Sequence, residues 1–98
     1  MMRILIADDH VGIRQLLVRM FDGMSEMEVV AEAADGLAAV QLASECQPDV
    51  VVMDVEMPRL DGIGATRRIV AEHPDMRIIG LSTHRSGVYV KAMLAAGA

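Results

Sequence analysis

The chain has 98 residues, of which 53% are hydrophobic and 23% are charged, an ordinary composition for one globular domain. Nine basic and 14 acidic residues give a formal net charge of −5, and no basic run suggests a nucleic-acid-binding surface. The single cysteine, Cys46, excludes an internal disulfide and suits a reducing cytosol. No apolar stretch is long enough for a membrane span or a secretion signal, so we expect one cytoplasmic domain over residues 1–98.

Apolar runs rich in β-branched residues alternate along the chain with segments of helical periodicity. Strands are predicted at 3–7, 28–33, 48–54 and 77–81, and helices at 10–22, 37–46, 62–72 and 88–96. Asp35 and Asp61 are predicted to cap the second and third helices, since aspartate is a preferred N-cap residue. Strict alternation implies right-handed βαβ crossovers and a parallel sheet with helices on both faces. The sequence therefore predicts an α/β, flavodoxin-like doubly wound fold.

Three carboxylates follow two of the predicted strands. Asp8 and Asp9 come directly after the first strand, and Asp54 ends the third. The carboxyl ends of parallel strands form the rim where ligands bind, and clustered carboxylates repel one another unless a cation lies between them. Taken alone, Asp8 and Asp9 would more simply be caps of the first helix, and Asp54 a loop residue.

A longer pattern surrounds these carboxylates. It comprises the pair Asp8-Asp9, the run Asp54-x-x-Met57-Pro58-x-x-Asp61-Gly62, Ser82 after the fourth strand, and the closing Ala95-Ala96-Gly97-Ala98. Over essentially the whole chain, this pattern resembles the receiver domain of two-component response regulators. Asp8-Asp9-His10 and Leu81-Ser82-Thr83-His84 are most similar to receivers that precede a LuxR-type helix-turn-helix domain.

The resemblance implies a role for each matching residue. Asp54 would accept a phosphoryl group from a sensor histidine kinase, and Ser82, in preference to Thr83, would be the switch hydroxyl that senses it. Asp9, Asp54 and the backbone carbonyl of Glu56 would bind Mg²⁺ directly, and Asp8 through a coordinated water. Pro58 and Gly62 would shape the loop. The output would be transcriptional, with DNA bound only by a C-terminal effector domain, and the receiver would catalyse at most its own phosphorylation and dephosphorylation.

The family pattern continues beyond this chain, into a fifth strand that ends in lysine and a fifth helix. The only lysine here, Lys91, lies in the last predicted helix and is not assigned that role. Without those elements we expect the fourth strand to be an open edge and part of the first helix, whose apolar stripe includes Leu16, Leu17 and Met20, to be uncovered. Self-association, replacement of the missing elements by another chain, or marginal stability would follow.

Two other functions remain open at this point. The absent lysine is compatible with an interaction module that works without phosphorylation. A Mg²⁺-dependent phosphohydrolase with an aspartyl nucleophile would carry a second aspartate two residues after the first, where this chain has His10. His10 and His84 are interpreted as surface residues or as supports for the site, because neither has a set of partners typical of a metal centre.

Overall fold

The computed structural model describes residues 1–81 and 97, in which strands and helices alternate as predicted. The order is β1 (Met2–Ala7), α1 (Val11–Asp22), β2 (Met27–Ala33), α2 (Gly36–Cys46), β3 (Val50–Asp54), α3 (Gly62–Glu72) and β4 (Arg77–Leu81). These elements confirm the predictions, with ends that differ by no more than one or two residues. The helix predicted at 88–96 lies outside the described residues.

All the described strands belong to one parallel sheet with the order β2-β1-β3-β4. β1 is paired on both sides, with β2 and with β3. In the β1–β3 ladder, Ala7 is the Cα partner of Met53. The next residue of each strand is an aspartate, so the register places Asp8 and Asp54 side by side at the carboxyl edge. The doubly wound arrangement is confirmed, and it brings two of the predicted site residues together.

The core has two parts, one on each face of the sheet. Along β1 and β3 alternate side chains point to opposite faces, as the pleat requires. Leu5, Val51 and Met53 pack in the larger cluster, with Ala39, Ala43, Ala65 and Ile69 of α2 and α3. Ile4, Ile6 and Val52 form the smaller cluster, against which Leu17, Val18 and Phe21 of α1 pack. Every residue of β3 is buried, so the strand that ends in Asp54 is held from both sides.

The helix termini show which aspartates act as caps. Asp35 Oδ1 accepts a hydrogen bond from the Ala38 amide at 2.8 Å, and Asp61 Oδ1 accepts one from the Gly64 amide at 2.8 Å. Both predicted caps are therefore confirmed. The N-cap of α1 is His10, which makes no side-chain capping bond. The simple capping role for Asp8 and Asp9 is not observed, and both side chains remain available to the rim.

Two apolar surfaces stay accessible at the sides of the sheet. No residue of α1 is buried, and Leu16 and Met20 are 59% and 52% exposed. β4 is the outermost of the described strands on its side, and its Ile79 is 54% exposed. The expectation of an open strand and a partly uncovered first helix is met within residues 1–81. None of the helices in this range has the length and hydropathy needed to cross a membrane.

Candidate functional site

The carboxyl ends of β1 and β3 bring four potential ligand residues together. One side-chain ligand atom from each of Asp8, Asp9, His10 and Asp54 lies within 4.8 Å of all the others. Asp8 and Asp54 are buried, with 4% and 8% of their surface exposed. The three carboxylates singled out from the sequence are therefore close enough to share one ion.

Asp8 is held by hydrogen bonds on both its main chain and its side chain. Its amide donates to the carbonyl of Ala33 at the end of β2 at 3.0 Å, and its carbonyl accepts from Arg14 Nη1 of α1 at 2.8 Å. Its Oδ1 accepts from the His10 amide at 2.8 Å and lies 3.2 Å from His10 Nδ1. These contacts fix the loop between β1 and α1.

Asp9 is placed differently from its neighbour. Its side chain is 32% exposed, and its Oδ1 lies 3.2 Å from His10 Nδ1. That oxygen is nevertheless buried and has no hydrogen-bond partner of acceptable geometry among the described residues. An unsatisfied buried carboxylate oxygen is costly unless a donor or a cation occupies the space before it. The Asp9 carboxylate thus fits a cation site.

The electrostatics of the rim differ from those of separated aspartates. Burial raises the pKa of Asp54 to about 6, assisted by the negative charges of Asp8 and Asp9 and opposed by the backbone N–H groups of Glu56 and Val55. The pKa of His10 is also raised, first by its hydrogen bond to Asp8 and then by the charge of Asp9. The surroundings of this pocket therefore favour positive charge, as a cation site requires.

The loop after Asp54 is compact and leaves no room for a side chain at Gly62. The Gly62 amide donates to the Val55 carbonyl at 2.8 Å, and a Cβ at position 62 would overlap the carbonyl oxygen of Asp54. Pro58 begins a tight turn in which its carbonyl accepts from the Leu60 amide at 2.8 Å. The central residue of that turn, Arg59, has a left-handed φ of 68°, a strained conformation for a side chain of this size.

Helix α2 supports the same loop from the side. A Cβ at Gly36, the first residue of α2, would overlap the carbonyl oxygen of Leu60. Beside this contact, Arg59 Nε lies 3.9 Å from Asp35 Oδ2. Arg59 is largely exposed, so this ion pair contributes little by itself. The main contact between α2 and the loop is the close approach of the Gly36 and Leu60 backbones.

The donor set suits a hard cation. Carboxylate oxygens are the ligands that Mg²⁺ and Ca²⁺ prefer, and a site that keeps space for water favours Mg²⁺. Glu56 is exposed and contributes its amide to Asp54; direct coordination by its carbonyl remains a prediction. Ser82 lies outside the described residues.

Two further residues contact the acidic pair. His10 contacts the carboxylates of Asp8 and Asp9, which fits its interpretation as a support for the site. Arg14 joins Asp8 to β2, and no prediction was made for it from the sequence. The partners of His10 are its neighbours in the sequence, whereas Glu32, the β2 partner of Arg14, is 18 residues away, so only the folded chain reveals that second pair.

Comparison with known proteins agrees with this geometry. The family model described as the response regulator receiver domain matches residues 4–98. The uncharacterized transcriptional regulatory protein YhcZ of Bacillus subtilis (strain 168) is 42% identical over 97 residues, covering 99% of this chain and 45% of that protein. The chain thus spans about half the length of the curated relatives it matches.

Solved structures show the same likeness. A LuxR-family two-component response regulator from Aurantimonas sp. SI85-9A1 superposes with a TM-score of 0.93 at 38% identity, covering 98% of this chain and 69% of that one. A CheX–CheY–BeF3–Mg²⁺ complex from Borrelia burgdorferi gives a TM-score of 0.91 at 30% identity, with coverages of 98% and 72%. The chain belongs to the response regulator receiver domain family.

Proposed function

We propose that residues 1–98 form a receiver unit that takes a phosphoryl group from a sensor histidine kinase onto Asp54. The observation that carries this proposal is the meeting of the Asp8, Asp9 and Asp54 carboxylates at one rim, with ligand atoms within 4.8 Å of one another. Family membership supports the reaction class, and the geometry supports the choice of acceptor, because Asp54 ends the most deeply buried strand.

Asp54 has the chemistry of a nucleophile toward phosphorus. One of its carboxylate oxygens would form the new bond to phosphorus while the bond to the donor breaks, giving an aspartyl phosphate. With a pKa of about 6, Asp54 is mostly ionised at neutral pH. The backbone N–H groups of Val55 and Glu56 already stabilise negative charge on this side chain, so they would help to hold the carboxylate for attack.

We propose Mg²⁺ as the cofactor. Asp9, Asp54 and the Glu56 carbonyl would hold the ion, with Asp8 acting through a water molecule, and the unsatisfied Asp9 Oδ1 supports this assignment. When bound, the ion would neutralise the charge of the three carboxylates and of the incoming phosphoryl oxygens. The similar CheY of Borrelia burgdorferi was solved in a complex with BeF3 and Mg²⁺, which supports the choice of the same ion for this site.

The output proposed for the protein is control of transcription in the cytoplasm. The similar LuxR-family regulator and the similar transcriptional regulatory protein support this choice, with DNA contacted by an effector domain outside these residues. Ser82 is proposed as the switch hydroxyl because it directly follows β4. Phosphorylation would add about −1.5 to −2 charges and new acceptor oxygens, by analogy with phosphorylated hydroxyls, and so would attract such a donor.

The test is mass spectrometry of the protein after incubation with Mg²⁺ and acetyl phosphate. We expect one phosphoryl adduct, located on Asp54, that disappears in Asp54→Asn and persists in the matched surface variant Asp75→Asn. The adduct should also disappear when EDTA removes Mg²⁺.

Other outcomes would reject the proposal in distinct ways. Release of phosphate without an accumulated adduct would indicate a phosphohydrolase. No reaction with either acetyl phosphate or a phosphorylated histidine kinase would indicate an interaction module that works without phosphorylation.

A further inference from the structure

Arg14 is a cation that is hydrogen-bonded to the acidic pair and largely shielded from solvent. Its side chain is 15% exposed, although arginine on a surface helix is normally solvated. Nη1 donates to the carbonyl of Asp8 at 2.8 Å, and Nε donates to Glu32 Oε1 of β2 at 3.2 Å. A single guanidinium therefore joins α1, β2 and the loop between β1 and α1.

The carbonyl of Asp8 belongs to the peptide group that links Asp8 to Asp9. A peptide group is planar, so fixing the direction of its carbonyl also fixes the direction of the Asp9 amide and restricts where the Asp9 Cβ projects. The other end of Asp8 is fixed by its amide bond to Ala33. With both ends restrained, the backbone at Asp9 has little freedom to turn its carboxylate away from the pocket.

Asp9 needs such support more than its neighbours do. Asp8 is buried and accepts two contacts from His10, and Asp54 is anchored by a buried strand. Asp9 is partly exposed and its Oδ1 has no hydrogen-bond partner in the described part of the chain. Its Oδ1 does lie 3.2 Å from His10 Nδ1, but that ring is 60% exposed and is shared with Asp8, so the direction of the Asp9 carboxylate depends mainly on its backbone.

We infer that Arg14 is a positioning residue, which holds the Asp8–Asp9 peptide so that the Asp9 carboxylate faces the cation position. Glu32 completes the arrangement, because its carboxylate also accepts from Gln15 Nε2 at 3.4 Å and orients the guanidinium. The link to cation binding rests on the proposed function; the orientation of the Asp9 backbone does not.

The test compares the ¹⁵N-labelled wild type with Arg14→Gln, Arg14→Lys and Glu32→Gln by NMR. Arg19→Gln is the matched control, since it removes the same charge from the exposed side of the same helix. Without metal, the Asp9 amide signal should shift in both Arg14 variants and stay in place in Arg19→Gln. Titration with MgCl₂ should show a Mg²⁺ dissociation constant about tenfold higher in Arg14→Gln, as is usual when a support of a metal ligand is lost.

The Mg²⁺ dissociation constants of Arg14→Lys and Glu32→Gln should lie between those of the wild type and Arg14→Gln. Lysine keeps the positive charge but lacks the planar fork that serves both acceptors at once. If Arg14→Gln does not fold, the Asp9 amide signal and the Mg²⁺ affinity of Arg14→Lys test the inference in its place.

Three results separate the possible failures. An unmoved Asp9 amide in the folded Arg14 variants would overturn the inference. Equal Mg²⁺ affinity in the wild type and Arg14→Gln, whatever the change in thermal stability, would overturn it too, because the role would then be structural only. If the wild type shows no response to Mg²⁺, the proposed cofactor is wrong, and the metal-free Asp9 signal alone decides whether Arg14 sets the backbone.

Discussion

Helices α2 and α3 close one face of the sheet more tightly than α1 closes the other. Ala39, Ala43, Ala65 and Ile69 are fully inaccessible on the first face, whereas α1 has no buried residue at all. Small residues such as these alanines let the backbones of α2 and α3 approach the sheet closely. The α1 face instead relies on half-buried side chains such as Phe21.

This contrast extends to the candidate site. Asp54 ends a strand that is buried from both sides, so dense packing determines its position. Asp8 and Asp9 lead into the loosely covered α1 and depend on polar contacts with Ala33, His10 and Arg14. The position of Asp54 should therefore tolerate changes on the surface of α1, whereas the positions of Asp8 and Asp9 should be sensitive to them.

The largest effect is expected from truncation on the tightly packed face. Ile69→Ala should lower the free energy of unfolding by about 3 kcal/mol, because a fully buried side chain is replaced by a cavity. Leu16→Ala, on the exposed side of α1, should change it by less than about 0.5 kcal/mol. Urea denaturation followed by circular dichroism measures both, and similar losses would show that the two faces are packed alike.

Glycine substitutions probe the same contrast through the backbone. Gly36→Ala should destabilise the fold by about 2 kcal/mol, because the new methyl group would press on the Leu60 carbonyl and displace the loop. Gly12→Ala, in α1, meets nothing within 4 Å and should stabilise it by about 0.5 kcal/mol through helix propensity. Thermal melts of the two variants should thus move in opposite directions, and a shared loss of stability would contradict the loose covering of α1.

Because its pKa is raised, ionised Asp54 should lower the free energy of unfolding in a pH-dependent way. Because the folded-state pKa of about 6 exceeds the ordinary value of 3.8, metal-free wild type should lose stability as pH rises through this range and should keep that penalty above it. Asp54→Asn removes the charge and should gain about 1 kcal/mol at pH 7, after allowance for solvent screening at the rim.

Denaturation curves between pH 4 and pH 8 measure this difference, with Asp75→Asn as the surface control. Saturating Mg²⁺ should reduce the advantage of Asp54→Asn, since the ion binds only the folded wild type tightly. A constant advantage at every pH would mean that the Asp54 charge is not the cause.

The smallest effects are expected at the accessible apolar surfaces of α1 and β4. We propose that they promote self-association of this chain, and Leu16→Gln combined with Ile79→Thr should weaken it several-fold because both side chains are more than half exposed. Light scattering over a concentration series measures this change. A wild type that stays monomeric at high concentration would reject the idea.

The sequence was sufficient to predict the order of the described elements, the two capping aspartates, and the three aspartates that meet at the rim. Buried runs such as 50–54 and turn signals such as Asp35-Gly36 are local patterns, and each confirmed element has one. The apolar stripe of α1 is only partly covered, because Leu17 and Phe21 pack on the sheet while Leu16 and Met20 remain exposed. Helical periodicity marks an apolar face but does not tell how much of it a neighbour covers.

Long-range polar contacts were beyond the reach of the sequence. Pairing of Arg14 with Glu32 depends on the position of β2 beside β1. The backbone of Leu60, which follows the left-handed Arg59, lies directly against Gly36. These partners are far apart in the chain, and their residue types are common at any surface. Only the assembled sheet identifies them.

A direct backbone connection runs from the rim toward the end of β4. The Val55 amide, one residue after Asp54, donates to the carbonyl of Leu81 at 3.2 Å, and Leu81 immediately precedes Ser82 in the chain. Deuterium uptake at that single amide would therefore report chemistry at the neighbouring carboxylate. If the hydrogen-exchange protection of the Val55 amide changes when Asp54 is modified, this amide can be used to follow that modification in solution.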